Sequence, residues 1–355
     1  MRRTLANVLR LTVSRRGAAA VCAAAILAAT AGPRPAAAQD LPDTIYIASG
    51  QSGSLQHTVA SAVAKVLTDN LPTTVVVRPY SGTTAFFPIL DSGEIEFGLA
   101  PSVDFGLSYQ GPERLKVGDR NPYPSTPNLR LVASGSNLIA GMLVRKDAAF
   151  ETVADLDGAR LAGNYSAHLG AYINSYAHLL NAGLDWDAVD ATPVAGLNQG
   201  LDALANGRVE GAVYGVGAPR VREVDAAVGV RFLPNLCDDA AKQRVTDAIP
   251  GYTFITLPKD RLPGIVADTC ITAYPLYLVA SSNTSDAIVG AVTTALYENA
   301  GDLAAFHPTL RGWKAEGSVR ADATLPYHDA ARESYQGAGA WTDAAEAAHT
   351  QLLQQ

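Results

Sequence analysis

Two short loops rich in glycine, serine and threonine hold the residues best suited to binding a ligand. They are Ser49-Gly50-Gln51-Ser52-Gly53-Ser54 and Ser81-Gly82-Thr83-Thr84. Each follows a β-branched segment and precedes a helical pattern, so each is expected to open a helix after a strand. Amides at a helix N-terminus supply hydrogen bonds and a positive dipole end, which suits a carboxylate. One such loop alone is more typical of an ordinary capped turn than of a binding site, but two loops after neighbouring strands favour binding.

A further group of polar residues later in the chain supplies amides and hydroxyls for a ligand. These candidates are Asn164, Tyr165, Ser166, Asn198 and Tyr214. We interpret Tyr165 as a lid over the ligand, whereas Tyr214 fits a core strand equally well. Arg78, at the end of a predicted strand, is a candidate to clamp a carboxylate in bidentate geometry. We expect the loops 49–54, 81–84 and 163–166 to converge on one cleft.

Motifs of catalysis and of metal binding are missing from the chain. It has no Gly-x-Ser-x-Gly elbow, His-Glu-x-x-His pair or P-loop. The six histidines are scattered without metal-ligand spacing. We therefore expect a binding protein that uses no cofactor or metal, and not an enzyme.

The elements that must position these loops alternate between strand and helix, which indicates an α/β fold with parallel sheets. Predicted strands cover residues 44–48, 74–78, 96–100, 160–162 and 211–214, and two strand segments flank Gly135-Ser136-Asn137. Predicted helices cover residues 55–67, 168–181, 285–307 and 329–355, with a loop at 197–199 before another helix. We expect two lobes joined by two crossing segments: 39–138, then 139–270, then a return to the first lobe in 271–355. Ligands of open α/β sheets bind beyond the carboxyl ends of the strands, here in the cleft between the lobes.

The first 38 residues have the composition of a cleavable export signal. A basic start is followed by an Ala-rich apolar run from Gly17 to Gly32, and small residues precede a cleavage point after Ala38. The run is too short to favour a transmembrane anchor. The expected location is the periplasm, and the export route is left open.

The chain that would remain after cleavage is acidic and contains two cysteines. The leader carries six of the 27 basic residues and none of the 34 acidic ones, so the remainder has a net charge of −13. This acidity argues against nucleic acid and anionic lipid as partners. Cys237 and Cys270 remain, and in an oxidising compartment they are either a disulfide or two separate thiols.

Several sequence blocks, in this order and spacing, resemble one family of receptors. The blocks are Ile47 to Ser54, Tyr80 to Thr83, Leu90 to Glu96, Val144 to Asp147, Ala154 to Gly158, Ala203 to Ala212, Gly217 to Pro219, and Pro326 to His328. Together they are similar to the TAXI-type receptors (TRAP-associated extracytoplasmic immunogenic proteins) of tripartite ATP-independent periplasmic transporters. The resemblance implies a monomer with the type II periplasmic-binding-protein fold. It would capture a small organic anion and deliver it to integral-membrane TRAP subunits.

The chain departs from this pattern mainly in the loops that would face the cleft. Gln56 and His57 replace two aromatic residues, and they are either pocket residues or exposed residues of a first helical turn. Phe86 replaces an Asn, and Asp104 lies one place off the family's usual Asp. The family's cargo is therefore not carried over. The alternatives are a receptor for an ATP-driven importer, a ligand-sensing module and, third, an exported hydrolase.

Overall fold

The computed structural model describes residues 41–114, 116–117 and 121–355; the predicted signal peptide, residues 1–38, lies outside the described residues. The strands of the described part are β1 (Thr44–Ser49), β2 (Thr74–Pro79), β3 (Phe97–Pro101), β4 (Leu129–Arg145), β5 (Arg160–Gly163), β6 (Asp190–Pro193), β7 (Gly211–Gly215), β8 (Val230–Phe232), β9 (Thr253–Leu257) and β10 (Thr269–Ser281). The α-helices are α1 (Leu55–Asn70), α2 (Thr83–Ser92), α3 (Ser102–Gln110), α4 (Leu169–Ala182), α5 (Leu197–Ala205), α6 (Pro219–Val228), α7 (Asp239–Ala248), α8 (Asp286–Glu298), α9 (Asp329–Gly337) and α10 (Asp343–Leu353).

The strands form one continuous sheet in the order β2-β1-β3-β10-β4-β7-β5-β6, with β8 added to β4 and β9 to β10. The three strands at each end run parallel to one another, whereas β10 and β4 in the middle are antiparallel. Each parallel end is the sheet of one α/β lobe. The fold is therefore α/β and two-lobed, as expected.

The two long strands β4 and β10 connect the lobes. The first part of β4 pairs with β10 beside β3, and its last part, Ala140–Val144, pairs with β7. The register between β4 and β10 shifts at Pro275, opposite Asn137, close to the predicted break at Gly135. Every residue of β10 is buried, as befits a strand in the middle of a covered sheet. The lobe boundaries at 138/139 and 270/271 stay a prediction.

Local sequence signals explain where the helices next to the cleft begin. Ser54 caps α1 by accepting the amide of His57, and a helix start at that position follows from its short polar side chain. His168 caps α4 in the same way, accepting the amide of Ala171. Gly183 ends α4 in the left-handed conformation, which glycine adopts without strain.

Apolar side chains from the sheet and its covering helices form the core. One large cluster extends through both lobes, and a smaller one around Met142, Leu156 and Leu161 lies in the second lobe. Cys237 and Cys270 form a disulfide that ties the segment before α7 to the start of β10. Within the described residues, no helix has both the length and the apolar character needed to cross a bilayer.

The predicted elements agree with the structure except in a few places. Residues 197–199 open α5 and are not a loop. The helix expected at 285–307 ends at Glu298 and continues as a 3-10 turn, and the C-terminal helix is interrupted between Gly337 and Asp343. The strand pattern around Gly135 is one unbroken strand, because both of its halves pair with β10 or β7.

Candidate functional site

The loops of the two lobes meet across the cleft. The backbone amide of Asn198 donates to Gln51 Oε1 at 3.4 Å, and Asn198 Nδ2 donates to the carbonyl of Ser52 at 3.5 Å. A β-carbon on Gly82 would overlap the carbonyl oxygen of Ala167 and lie 2.8 Å from the Cα of His168. The lobes are thus closed on each other, and the loops 49–54 and 81–84 contact residues 167–168, Gly196 and Asn198 of the second lobe. The predicted third loop, 163–166, ends one residue before this contact.

A small cavity lies beneath these contacts, with walls from both lobes. Its volume is about 40 Å³, room for roughly three water-sized groups. The lining residues are Ser54, Leu55, Gln56, Pro101, Asp104, Leu138, Ala140, His168, Ala171, Asn174, Leu197, Val213, Tyr214, Gly215 and Tyr274. Most of this wall is apolar, with a few polar groups, which is the usual character of a ligand pocket.

Asp104 brings a carboxylate to the cavity wall from the first turn of α3. It is 1 % exposed, and its Oδ2 accepts a hydrogen bond from Thr83 Oγ1 at 3.1 Å, while the Tyr123 hydroxyl also donates to it. Burial raises the pKa of Asp104 to about 7, and the two hydroxyl donors reduce that rise. From the second lobe, the first turn of α4 covers this carboxylate, and a β-carbon on Gly170 would lie 3.1 Å from Asp104 Cγ.

His168 lines the cavity as a neutral ring. Burial lowers its pKa to about 4. Its Nδ1 accepts the amide of Ala171 at 3.1 Å, so in the neutral ring Nε2 carries the proton. Because Nδ1 is held by the backbone, the carboxylate of Asp104 cannot orient this ring as the acid of a catalytic triad does.

Three amide side chains complete the polar part of the site. Asn174 donates to the hydroxyl of Tyr274 at 2.9 Å and accepts from the hydroxyl of Tyr252 at 3.0 Å. Gln56 Nε2 donates to the carbonyl of Leu99. Asn198 accepts the hydroxyl proton of Tyr214 at 2.6 Å, which places that side chain between the cavity and the rim. These bonds hold the polar groups in fixed orientations.

Of the predicted first-lobe residues, Ser54 lines the cavity, while Gln51, Ser52 and Gly82 form the contact with the second lobe. Thr83 supports Asp104. Five others fall outside the lining of the cavity: Ser49, Gly50, Gly53, Ser81 and Thr84. Among them, Gly50 packs against Gln56 and Ser49 is fully buried.

Of the predicted second-lobe residues, Tyr214 lines the cavity and Asn198 lies at the rim. Tyr165 is fully buried against Gly200 in the lobe core, so it is not a lid. Asn164 and Ser166 are exposed. The ring of Tyr165 packs into the core of the second lobe because Tyr165 closely follows the buried strand β5.

Arg78 does not reach the cavity. Its guanidinium lies over the ring of Tyr46 on the exposed side of β2, 3.5 Å from the ring centroid. Gln56 is buried in the wall of the cavity, and His57 is half-buried and outside it. Gln56 is therefore a pocket residue, whereas His57 lies outside the cavity without being fully exposed.

Sequence reasoning did not select Asp104, His168, Asn174 and Tyr274. In the sequence, Asp104 differs from other aspartates only by lying one place off a position of the resembled family, and its place just after β3 is the available signal. The other three sit on a helix start, a helix and a crossing strand, and no local pattern separates them from core residues.

A second and larger cavity, of about 580 Å³, lies behind α3. Its lining includes Gly106, Gln110, Pro250, Thr324 and Leu352. None of the lining residues belongs to the loops that meet across the cleft. The smaller cavity is the better candidate because both lobes close on it.

The two-lobed fold is similar to that of several proteins of known structure, among them a periplasmic transporter and a periplasmic binding protein. The MatC protein of Rhodopseudomonas palustris with bound malate has a similar structure, with a TM-score of 0.54, 16% identity, and 86% of this chain and 100% of that chain covered. An R. palustris protein solved with adipate gives a TM-score of 0.53 at 16% identity, covering 87% and 98% of the chains. The periplasmic binding protein BugD gives 0.53 at 11% identity, covering 88% and 97%.

The sequence itself is assigned at the level of a family. The model of the NMT1-like family matches residues 47–339, and the chain belongs to that family. No curated protein sequence matches the chain.

Proposed function

We propose that this protein is the extracytoplasmic solute-binding subunit of a TRAP-type secondary transporter, of the TAXI kind. It captures a small carboxylate between its lobes and delivers it to the integral-membrane subunits. The observation that carries the proposal is the cavity that both lobes enclose where their polar loops meet. The leader predicted in residues 1–38 supports export to the periplasm.

The electrostatics of the cleft favour an anionic group at the start of α1. Ser54, Leu55 and Gln56 line the cavity, so the N-terminal end of this 16-residue helix faces the solute. The first amides of a helix have no partner inside the helix, and its dipole is positive there. The similar folds solved with malate and adipate are consistent with a carboxylate cargo.

Binding without turnover is supported by the fixed roles of the polar groups. Ser54 Oγ accepts the amide of His57, and His168 Nδ1 accepts the amide of Ala171. Ser54, His168 and Asp104 therefore lack the nucleophile–base–acid chain of hydrogen bonds that a serine hydrolase needs. Among the described residues that line this cavity, the exported-hydrolase alternative therefore has no geometric support.

A thermal-shift screen of residues 39–355 against carboxylates, sulfonates, amino acids and neutral metabolites tests the binding role. Because ligand stabilises only the folded state, a solute at 100 times its Kd adds about 2.7 kcal/mol to the free energy of unfolding. We expect a clear shift with carboxylates and no turnover. Shifts confined to neutral metabolites would contradict the cargo class.

Uptake into proteoliposomes separates the transporter classes. With TRAP membrane subunits, accumulation of the solute requires the binding protein and an ion gradient, and an ionophore abolishes it. Accumulation that needs ATP instead would establish a receptor of an ATP-driven importer.

A further inference from the structure

We propose that Asp104 determines specificity by accepting a hydrogen bond from the solute, so that the cargo is a carboxylic acid that also carries an ammonium or hydroxyl group. This inference rests on the proposed function, since it adds a second recognition point to the same cavity.

The cavity combines a buried carboxylate with a lack of basic side chains. Among the described residues that line it, Asp104 is the one carboxylate and none is Lys or Arg. None of the ion pairs in the described part of the chain includes Asp104. A carboxylate buried without a cation is costly, and such groups in clefts are typical of functional sites.

The donors that Asp104 has within the protein do not use all of its capacity. Thr83 and Tyr123 donate one hydrogen bond each, whereas an ionised carboxylate has about four acceptor positions. Because Asp104 lines the cavity, an enclosed solute can fill a remaining position with a donor of its own. A solute that presents only carboxylates would instead place negative charge beside the ionised form of Asp104.

The two helix N-termini at the cavity are not equivalent. The first turn of α4 lies directly on Asp104, since a β-carbon on Gly170 would overlap Asp104 Oδ2. The positive N-terminal end of α4 therefore already faces a carboxylate of the protein. The start of α1, at Ser54 to Gln56, remains for the carboxylate of the solute. The site therefore has one end for an anion and one end for a donor.

The small volume keeps these two ends close together. A cavity of about 40 Å³ encloses only a few non-hydrogen atoms in the closed state. A solute with a hydrogen-bond donor on the carbon next to its own carboxylate can reach both the start of α1 and Asp104 within that space. Acids with a 2-amino or 2-hydroxy group are accordingly expected to bind more tightly than unsubstituted acids of the same length.

Matched sets of acids test this directly by calorimetric titration of the mature protein. The sets are propionate, lactate and alanine; succinate, malate and aspartate; and glutarate, 2-hydroxyglutarate and glutamate. In at least one set, a substituted acid is expected to bind ten times more tightly than the unsubstituted one, and comparison of its hydroxyl and ammonium members identifies the donor.

Variants then test whether the preference for substituted acids depends on Asp104. Asp104→Asn should reduce the ratio between substituted and unsubstituted acids at least threefold. As a matched control, Asp91→Asn changes a half-buried carboxylate that accepts from Asn128 away from the cavity, and it should keep the ratio. If Asp104→Asn does not fold, Gly170→Ala gives the same readout, because its methyl group displaces the Asp104 carboxylate.

A purely structural role for Asp104 would weaken all the acids alike and leave the ratio unchanged, and that result overturns the inference. Equal binding of unsubstituted acids by the unmodified protein overturns it as well, while carboxylate capture stands. If none of the nine acids binds, the carboxylate cargo of the proposed function fails together with the inference.

Discussion

Gly82 and Ala167 lie in backbone contact across the cleft, since a β-carbon on Gly82 would overlap the carbonyl oxygen of Ala167. Gly82 has an extended backbone with φ of −176°, so alanine is excluded there by the opposite lobe and not by its own conformation. This contact makes the closed form sensitive to a single methyl group.

Gly82→Ala should therefore impair closure without unfolding the first lobe. We expect binding of the best solute from the screen to weaken at least tenfold, and small-angle scattering with solute to show a larger radius of gyration than the unmodified protein. Gly317→Ala is the matched control, because no atom lies within 4 Å of its added β-carbon. Unchanged affinity in Gly82→Ala would show that the solute is held in a more open form.

Asn198→Ala removes a side chain of the second lobe that donates a hydrogen bond to the first lobe across the cleft. It loses the bond from Nδ2 to the carbonyl of Ser52 and the bond from the Tyr214 hydroxyl. One hydrogen bond contributes about 1 kcal/mol, so Kd should rise about five- to tenfold in a titration. Tyr214→Phe is the comparison, since it removes the bond within the second lobe and leaves the one to Ser52. An equal effect of both variants would contradict a bridging role for Asn198.

The disulfide between Cys237 and Cys270 should stabilise the second lobe. Its sequence separation is 33 residues, and restricting a loop of that size in the unfolded chain contributes roughly 3–4 kcal/mol. Urea unfolding with and without reductant measures this difference. The double variant Cys237→Ser with Cys270→Ser should show the lower stability in both conditions. Two free thiols in the unreduced, exported protein would contradict the bond.

The contributions of Asp104 and His178 to the free energy of unfolding should change with pH in opposite directions. The folded pKa of Asp104 is raised to about 7 from 3.8, so the protonated form is favoured by folding and stability falls as pH rises from about 4 to 7. The unfolding free energy of Asp104→Asn, relative to the unmodified protein, should thus increase over that range, by up to about 1.4 kcal/mol per pH unit.

His178 provides the reverse case in the same experiment. Burial lowers its folded pKa to about 4 from 6.5, so its contribution is present above pH 6.5 and lost as pH falls toward 4. His178→Gln should gain stability relative to the unmodified protein on acidification. Urea titrations in the absence of solute at four or five pH values measure both slopes. Parallel slopes for the two variants would refute the assignment of these shifts.

The sequence alone determined the class of fold and the places where its loops lie. Strand and helix periods are local, so Thr44–Ser49, Leu55–Asn70 and the glycine-rich turn between them are recognisable from neighbouring residues. The rule that ligands bind at the carboxyl ends of strands then led to the loops around Gln51 and Gly82. The predicted two-lobed arrangement places Asn198 opposite them, whereas Ala167, which contacts Gly82, lies one residue beyond the predicted loop 163–166.

Only the tertiary structure decided which side chains face the solute. Tyr165 packs into its lobe and Arg78 over Tyr46, although both are polar residues at strand ends. Asp104 comes to the cavity because Gly170, 66 positions away, lets α4 pack on it. Whether a side chain at a strand end is buried, paired or directed into a cleft depends on residues distant in sequence, and a local pattern contains no information about them.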